Sequence, residues 1–245
     1  LVKIRAYEEN TDGCNFEDAE FPWNPFIVME FIQGKTLESF IKSQIKEYGP
    51  KVINVTAHTV RIALAITQAL AYLHRQKIVH RDVKPGNIFL SSEVRRGQQG
   101  AIKLGDFGVV KWNDFLASIN TGQLTTTGQT GLGTLKYMSP EQVTKPKDVL
   151  IASDIYSLGA TFFELFTNQF FQNNLEFFLI TMARNQRGNT FSRLHELGVE
   201  AIPNQFEYLF STILDMLALG PTSRPTARKL EGILRVLLDD LETRR

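Results

Sequence analysis

Apolar residues recur at helical spacing along much of the chain. Between Ala57 and Arg75 they return every three or four residues, and Thr56 directly before this segment can act as an N-cap. The same periodicity predicts further helices over residues 37–47, 154–167 with Ser153 as the N-cap, 176–186, 205–219 and 226–241. The C-terminal half is therefore expected to be almost entirely helical.

Short apolar runs between turn-forming residues predict a few strands. Residues 25–32 are rich in β-branched and aromatic side chains and are bounded by a proline and a glycine, which favours a buried strand. Residues 88–90 and 102–104 predict two more short strands. Residues 111–133 show no hydrophobic period and are rich in Thr, Gly, Asn and Gln, so they predict a long functional loop.

The composition is that of a globular chain without a charge asymmetry. The 245 residues are 43% apolar, which is enough for a sizeable core. Lys and Arg number 27 against 26 Asp and Glu, so nothing indicates a nucleic-acid or membrane-surface partner. The single cysteine, Cys14, excludes an intrachain disulfide and fits a reducing compartment such as the cytoplasm. No apolar run approaches the roughly 20 residues that span a bilayer.

The strongest chemical signal is the sequence HRDVKPGN at residues 80–87, followed by DFG beginning at Asp106. Transfer of a phosphoryl group requires an acceptor for the proton of the attacking hydroxyl, divalent metal on the phosphates and cations near the developing charge. The side chains that could supply these groups are Asp82, Lys84, Asn87 and Asp106. The alternative is that both aspartates are ordinary turn formers near strand ends, but their joint spacing favours phosphoryl transfer.

These motifs resemble those of the eukaryotic-type serine/threonine protein kinases. The resemblance implies an α+β, protein-kinase-like fold with a mostly helical large lobe and a partial β small lobe. Residues 1–32 then correspond to the last strands of the small lobe up to the hinge. Residues 33–245 correspond to the large lobe, with the catalytic loop, the activation segment and a helical bundle.

The resemblance also assigns roles around ATP and Mg²⁺, the expected cofactors. Asp82 is implied to be the catalytic base and Lys84 to approach the transferring phosphate, while Asn87 and Asp106 hold the metal ions on the nucleotide. His80 is implied to be a packed structural residue and not a proton carrier. The remaining histidines have no convergent partners in the sequence and are predicted to be surface or capping residues: His58, His74 and His195.

Residues 28–32 resemble the strand and hinge beside the adenine pocket of these kinases. Met29 takes the gatekeeper position, and the backbone groups of Glu30 and Ile32 are implied to hydrogen-bond the base. Because backbone atoms make these contacts, the side chains of this segment are only loosely constrained.

Residues 133–141 resemble the end of a kinase activation segment, with Ser139 where alanine is commoner. Glu141 is implied to pair with Arg224, and removing one partner of such a buried pair would cost about 3 to 5 kcal/mol. Asp154 matches the helix aspartate that braces the catalytic loop in this family. The alternative for Asp154 is a simple interaction with the dipole at the start of its helix.

Lys84 and Thr134 favour serine or threonine over tyrosine as the phosphate acceptor, since tyrosine kinases usually carry a different catalytic-loop pattern. Arg81 can pair bidentately with a phosphate, which indicates regulation by phosphorylation of the activation segment. The candidate acceptors are residues 125–127 and Thr130, with Thr130 preferred for its distance to Thr134. The alternative is a merely polar loop.

Two parts of the kinase signature do not occur before residue 25: a Gly-rich loop over the phosphates, and a strand lysine paired with a helix glutamate. Residues 1–7 resemble the strand that follows that helix. The chain is therefore expected to be an N-terminally truncated fragment with weak or no activity of its own. The alternative is a kinase-like scaffold protein that binds partners without phosphoryl transfer, but the intact set in residues 80–87 favours a kinase.

The segments HRDVKPGNIFL, KLGDFGVV and TGLGTLKYMSPEQ most resemble the kinases of the alpha subunit of translation initiation factor 2. The implied partner is a protein substrate with a Ser or Thr acceptor, which the helix around residues 174–182 would help to dock. NIMA-related and other cytoplasmic serine/threonine kinases remain alternatives. A homodimer through the small lobe is a further expectation.

Overall fold

The computed structural model describes residues 4–8, 26–91, 101–106, 136–144, 149–169 and 202–243. Its helices are α1 (Leu37–Tyr48), α2 (Ala57–Arg75), α3 (Pro140–Thr144), α4 (Ile151–Thr167), α5 (Glu207–Met216) and α6 (Ala227–Thr243). Its strands are β1 (Ile4–Glu8), β2 (Phe26–Met29), β3 (Gly34–Thr36), β4 (Ile88–Ser91) and β5 (Ile102–Leu104). Short 3-10 turns cover Pro85–Asn87, Asn204–Phe206 and Pro221–Ser223. Among the helices described, none is both long and apolar enough to cross a bilayer.

The strands form two small antiparallel sheets. β1 pairs with β2, with Ile4 opposite Met29. The strand predicted over residues 25–32 is therefore confirmed, although it ends at Met29. In the second sheet β4 lies between β3 and β5, which confirms the two strands predicted at residues 88–90 and 102–104.

The sequence pattern does not predict β3, whose three residues show no alternation of apolar and polar side chains. This strand forms because it pairs with β4, with Gly34 opposite Ser91. A Cβ atom at Gly34 would lie 1.9 Å from the backbone oxygen of Leu90, so only glycine lets the two strands approach this closely. Tertiary pairing here overrides a weak local preference.

α2 is the central support of the region that follows it. A reciprocal cap fixes its start: the Thr56 hydroxyl accepts from the backbone N–H of Thr59, and the Thr59 hydroxyl accepts from the backbone N–H of Thr56. The helix packs mainly against α6, and also against β5 and α4, in one continuous apolar core. The predicted helix over residues 57–75 and its Thr56 cap are confirmed.

α4 is buried along nearly its whole length, with every side chain over residues 153–167 buried. The helix begins at Ile151, three residues before the predicted start. The prediction that Ser153 is the N-cap was therefore wrong. Ser153 lies inside the first turn, where its hydroxyl accepts a hydrogen bond from the backbone N–H of Leu150 at 3.3 Å.

The other predicted helices are tested in part. α5 and α6 confirm the helices predicted over residues 205–219 and 226–241, although the first begins as a 3-10 turn and ends at Met216. The helix predicted over residues 176–186 and the loop predicted over residues 111–133 lie outside the described residues. The pattern missed α3 because five residues are too few to show a helical period.

Candidate active site

Residues 80–87, which the resemblance implies to be the catalytic loop and which we call by that name, lie between the end of α2 and the start of β4. It closes with the 3-10 turn Pro85–Asn87, against which α1 and β3 pack. The backbone N–H of Gly105 donates to the backbone oxygen of Asn87 at 3.0 Å, which ties the end of β5 to this loop. Asp106, the next residue, therefore enters the same region from a second strand.

Three side chains of the catalytic loop form one hydrogen-bonded group. Asp82 is 6% exposed, and its Oδ2 lies 2.9 Å from Nζ of Lys84. The Nδ2 of Asn87 donates to both Oδ2 and the backbone oxygen of Asp82, each at 2.8 Å. A cation and an amide thus fix the orientation of the Asp82 carboxylate through charge-assisted hydrogen bonds.

Asn87 and Asp106 offer the oxygen donors that suit Mg²⁺. Because Nδ2 of Asn87 donates to Asp82, its Oδ1 is the atom that can coordinate a cation. Asp106 is exposed and has φ 61°, a left-handed conformation that aspartate adopts more readily than most residues. A carboxylate and an amide oxygen fit a cation such as Mg²⁺, which completes its shell with phosphate oxygens and water. Within the described ranges no group of three or more His, Cys, Asp or Glu side chains is arranged to hold a metal ion by itself.

Asp154, in the first turn of α4, binds the start of the catalytic loop. Its Oδ2 accepts from the backbone N–H of His80 and its Oδ1 from the backbone N–H of Arg81, both at 2.8 Å. The residue is 1% exposed. These contacts favour the bracing role for Asp154 over an interaction with the helix dipole alone.

His74 makes a third contact with this aspartate and corrects a prediction. Its Nε2 lies 2.9 Å from Oδ2 of Asp154 and its side chain is only 9% exposed, so it is neither a surface nor a capping residue. The sequence pattern missed it because the partner is 80 residues away. His58 is half-buried and its ring packs edge-on against Phe40, with 5.7 Å between the ring centroids. His195 lies outside the described residues.

His80 is fully buried beside two of these carboxylates. Burial lowers the pKa of His80, although the charges of Asp154 and Asp82 act in the opposite direction. Its Nδ1 accepts a hydrogen bond from the backbone N–H of Asp82 at 3.3 Å. This environment favours a neutral, packed imidazole over a group that exchanges protons with a substrate.

Glu141 of α3 and the buried Arg224 form an ion pair, which we call the Glu141–Arg224 clamp; their side chains are 12% and 0% exposed. Nη1 and Nη2 of Arg224 donate to the two carboxylate oxygens of Glu141 at 2.5 and 2.9 Å. The guanidinium makes five hydrogen bonds in total, as many as it has N–H groups. The other acceptors are the backbone oxygens of Ala152, Ala218 and Leu219.

The electrostatics of the clamp favour the ionised pair. Burial alone would raise the pKa of Glu141, but the hydrogen bonds and positive charge of Arg224 outweigh it, so the pKa lies below its ordinary value. The Ser153 hydroxyl adds a hydrogen bond to Glu141 at 2.8 Å, and the guanidinium lies over the ring of Tyr156. The clamp therefore joins α3, α4 and the turn before α6.

The predicted adenine-binding segment follows the end of β2. Met29 is 51% exposed and Phe31 90% exposed, while Ile32 is half-buried. The carboxylate of Glu30 lies 2.5 Å from Nζ of Lys103 on β5. The Glu30 side chain is thus engaged within the protein, which is compatible with a base contacted through backbone groups alone.

Not every predicted site residue lies in the described part of the chain. Thr134, Thr130, residues 125–127 and residues 174–182 fall outside it. A cavity of about 920 Å³ opens between α1, the start of α2 and the β3–β4 pair, and residues 80–87 do not line it. The candidate active site is therefore defined by the side chains around Asp82 and not by this cavity.

The protein kinase domain family matches residues 15–232, which is most of the chain. The chain belongs to the protein kinase domain family. The expectation of an α+β, protein-kinase-like fold is confirmed. In this kinase domain, the Asp82 group, the Asp154 brace and the Glu141–Arg224 clamp all lie within the matched range.

Several serine/threonine kinases are similar to this kinase domain. The probable serine/threonine-protein kinase PknB of Bifidobacterium longum is 31% identical over 169 residues, which are 68% of this chain and 21% of the relative. The serine/threonine-protein kinase PknL of Mycobacterium tuberculosis is 35% identical over 164 residues, 67% of this chain and 34% of the relative.

A eukaryotic relative shows similar identity. The mitogen-activated protein kinase kinase mkk2 of Aspergillus fumigatus is 37% identical over 148 residues, 59% of this chain and 25% of the relative. The kinase domain thus spans between 21% and 34% of the length of these three relatives. None of the three is named as a kinase of the initiation factor, so the likeness to that subfamily gains no support from them.

Proposed function

We propose that the protein transfers the γ-phosphoryl group of ATP to a serine or threonine hydroxyl of a protein substrate. The observation that carries the proposal is the group of Asp82, Lys84 and Asn87, with Asp106 entering from β5. Membership of the protein kinase family and the names of its relatives support the same activity. The presence of both Lys84 and Thr134 in the sequence supports serine or threonine as the acceptor.

Each of the three loop side chains has its own role in the proposed reaction. The Asp82 carboxylate orients the attacking hydroxyl and accepts its proton as the new oxygen–phosphorus bond forms and the bond to ADP breaks. Lys84, with Nζ 2.9 Å from that carboxylate, lies where it can offset negative charge on the transferring phosphoryl group. Asn87 keeps the carboxylate oriented, so little reorganisation is needed at the moment of transfer.

Mg²⁺ and the nucleotide would be held by the remaining donors. Oδ1 of Asn87 and the Asp106 carboxylate would bind the metal, which when present neutralises the phosphate oxygens. The backbone of Glu30 and Ile32 would hold the adenine, with Met29 beside it.

The decisive experiment compares the full-length protein with its Asp82→Asn variant in a γ-phosphate transfer assay with Mg²⁺. We expect the variant to lose about 100-fold or more in kcat, because the amide cannot accept the proton. Asp215→Asn, at an exposed position on α5, is the matched control and should retain wild-type activity. Absence of transfer from wild-type protein with a phosphorylated activation segment would favour the kinase-like scaffold instead.

We further propose the alpha subunit of translation initiation factor 2 as the first substrate to test. The support is the likeness of residues 80–90, 103–110 and 130–142 to the kinases of that subunit. Residues 174–182 would then help to dock the folded subunit. A generic basic protein serves as the comparison substrate, and preference for the basic protein would contradict this choice.

Regulation by phosphorylation is also part of the proposal. A phosphate on Thr130 would pair with the guanidinium of Arg81 and order the activation segment. Thr130→Ala should then lower activity and Arg81→Ala should remove the response to phosphorylation, whereas Thr125→Ala should have little effect. The cytoplasm as the location and a homodimer through the small lobe stay predictions.

A further inference from the structure

Gln142, in α3, connects the end of the activation segment to the catalytic loop. It is 1% exposed. Its Oε1 accepts hydrogen bonds from the backbone N–H and the hydroxyl of Ser139, at 3.0 and 3.2 Å. Its Nε2 donates to the backbone oxygen of Arg81 at 3.0 Å. One buried amide thus bridges two segments that are 61 residues apart.

The oxygen that Gln142 binds belongs to the peptide group between Arg81 and Asp82. The N–H of this group donates to Nδ1 of His80 at 3.3 Å. Arg81 has φ 70°, a left-handed conformation that is unfavourable for a long side chain, so this peptide plane needs external contacts to hold it. Asp154 holds the preceding N–H, and Gln142 holds the carbonyl.

We propose that Gln142 is a positioning residue for Asp82. By fixing the Arg81 carbonyl it sets the peptide plane from which the Asp82 side chain projects, and through Ser139 it makes that plane depend on the end of the activation segment. The inference rests on the proposed function of Asp82 as the proton acceptor. Gln142 itself need not contact either substrate.

The contacts require a side chain that donates and accepts at the same time. An amide does both at neutral pH, whereas an ionised carboxylate can only accept. A glutamate at this position would still bind Ser139, but it would face the Arg81 carbonyl with a second acceptor. Once protonated, the same glutamate would donate its O–H to that carbonyl and restore the bridge.

The test is the pH dependence of phosphoryl transfer by the full-length protein and its Gln142→Glu variant. We expect kcat of the variant to be reduced about tenfold or more at pH 8, with KM for ATP changed less than about twofold. The ratio of variant to wild-type kcat should rise several-fold as the pH falls to 6, because burial favours the protonated acid. A role in stability alone would lower the yield of folded protein but leave this ratio flat.

Gln142→Met is the second variant, since it keeps the length of the side chain and has neither N–H nor C=O. Its kcat should fall at every pH without recovery in acid. Gln68→Met is the matched control. Gln68 carries a partly buried amide whose Nε2 donates to Glu231 of α6, away from the loop. The control should lose some thermal stability and keep its kcat.

A readout independent of activity separates this inference from the proposed function. Amide hydrogen exchange of a peptide covering residues 80–87 should become faster in Gln142→Met and stay unchanged in Gln68→Met. If wild-type protein transfers no phosphate but the exchange rates change as stated, the proposed function fails and the bridge stands. Unchanged exchange in Gln142→Met, or a flat kcat ratio for Gln142→Glu, would overturn the role of Gln142.

Discussion

The Glu141–Arg224 clamp and the catalytic loop are both buried polar regions, but their hydrogen bonds have different destinations. In the clamp, the two charged side chains bind each other, and every N–H of the guanidinium is used within the protein. In the catalytic loop, Asp154 and Gln142 bind backbone atoms of Arg81 and its neighbour. Two side chains from outside the loop therefore hold its first residues, and within the loop Asn87 adds a hydrogen bond to the backbone oxygen of Asp82.

Because of this difference, we expect variants of the two regions to affect different quantities. An ion pair of this kind resists being broken, because removing one partner leaves the charge of the other uncompensated. A loop held through its backbone keeps its conformation fixed, and with it the relative geometry of Asp82 and Lys84. Damage to the clamp should therefore appear mainly as lost stability, and damage to the brace mainly as lost turnover.

Breaking the clamp gives the largest expected effect. Arg224→Met should lower the free energy of unfolding by about 3 to 5 kcal/mol, since the largely enclosed Glu141 carboxylate would lose its cation and three backbone oxygens would lose their donor. Arg235→Met removes a similar Arg–Glu pair whose arginine is 57% exposed, and should cost less than about 0.5 kcal/mol. Urea denaturation of both variants measures the difference, and equal losses would contradict the comparison.

Weakening the brace should have a smaller effect on stability and a larger one on turnover. In Asp154→Asn the backbone N–H of either His80 or Arg81 would face the NH₂ group of the new side chain. The lost hydrogen bond should lower the free energy of unfolding by about 1 to 3 kcal/mol. We expect kcat to fall by more than about tenfold while KM for ATP changes little. Steady-state kinetics beside thermal melting of the same preparation tests this, and a loss of stability without a loss of kcat would contradict it.

The sheet that follows the catalytic loop offers a third test. Gly34→Ala should destabilise the protein by about 1 to 3 kcal/mol, because its Cβ would meet the Leu90 backbone oxygen and separate β3 from β4. Gly232→Ala is the control, since a Cβ there meets nothing within 4 Å and lies in α6, where alanine favours the helix. Opposite signs of the change in melting temperature are expected, and equal shifts would contradict the account of β3.

The two regions should also differ in their response to acid, which is the smallest effect. The pKa of His80 is lowered, so its contribution to stability is complete above about pH 6.5 and is lost as the pH falls toward its folded pKa. The pKa of Glu141 is lowered too, so its contribution is lost only below about pH 4.5.

Two variants test whether His80 and Glu141 cause the losses of stability in these two pH ranges. His80→Asn should remove the loss of stability that begins below about pH 6.5, and Glu141→Gln should remove the loss that begins below about pH 4.5. Unfolding free energies measured across this range would show whether the windows are separate. A single transition that neither variant alters would mean that other groups control the acid response.

The features that the sequence predicts well are local ones. The helix over residues 57–75 and its Thr56 cap depend on neighbours a few positions apart, and the spacing within residues 80–87 is itself the chemical signal. The pairing of Glu141 with Arg224 was implied by resemblance, because no rule of spacing connects residues 83 apart.

The features that the sequence missed depend on the folded chain. The contact of His74 with Asp154, the bridge from Gln142 to Arg81 and the pairing of β3 with β4 all join distant segments. Asn, Gln and His side chains also have no obligatory partner type, so composition gives no warning of where they bind. The one signal in the sequence is a polar residue directly after a predicted motif, as Gln142 follows Glu141.

Asp154 binds main-chain N–H groups and not side chains of the loop, and this has a consequence for inherited variation. Every amino acid except proline carries that N–H, so the side chain at position 81 can change in a lineage without deleting the two hydrogen bonds that Asp154 makes to the loop. If position 81 gains or loses its guanidinium, the proposed response to phosphate changes with it while these two hydrogen bonds remain. Control by phosphorylation could therefore be acquired or discarded in this architecture by a single codon change, without rebuilding the catalytic site.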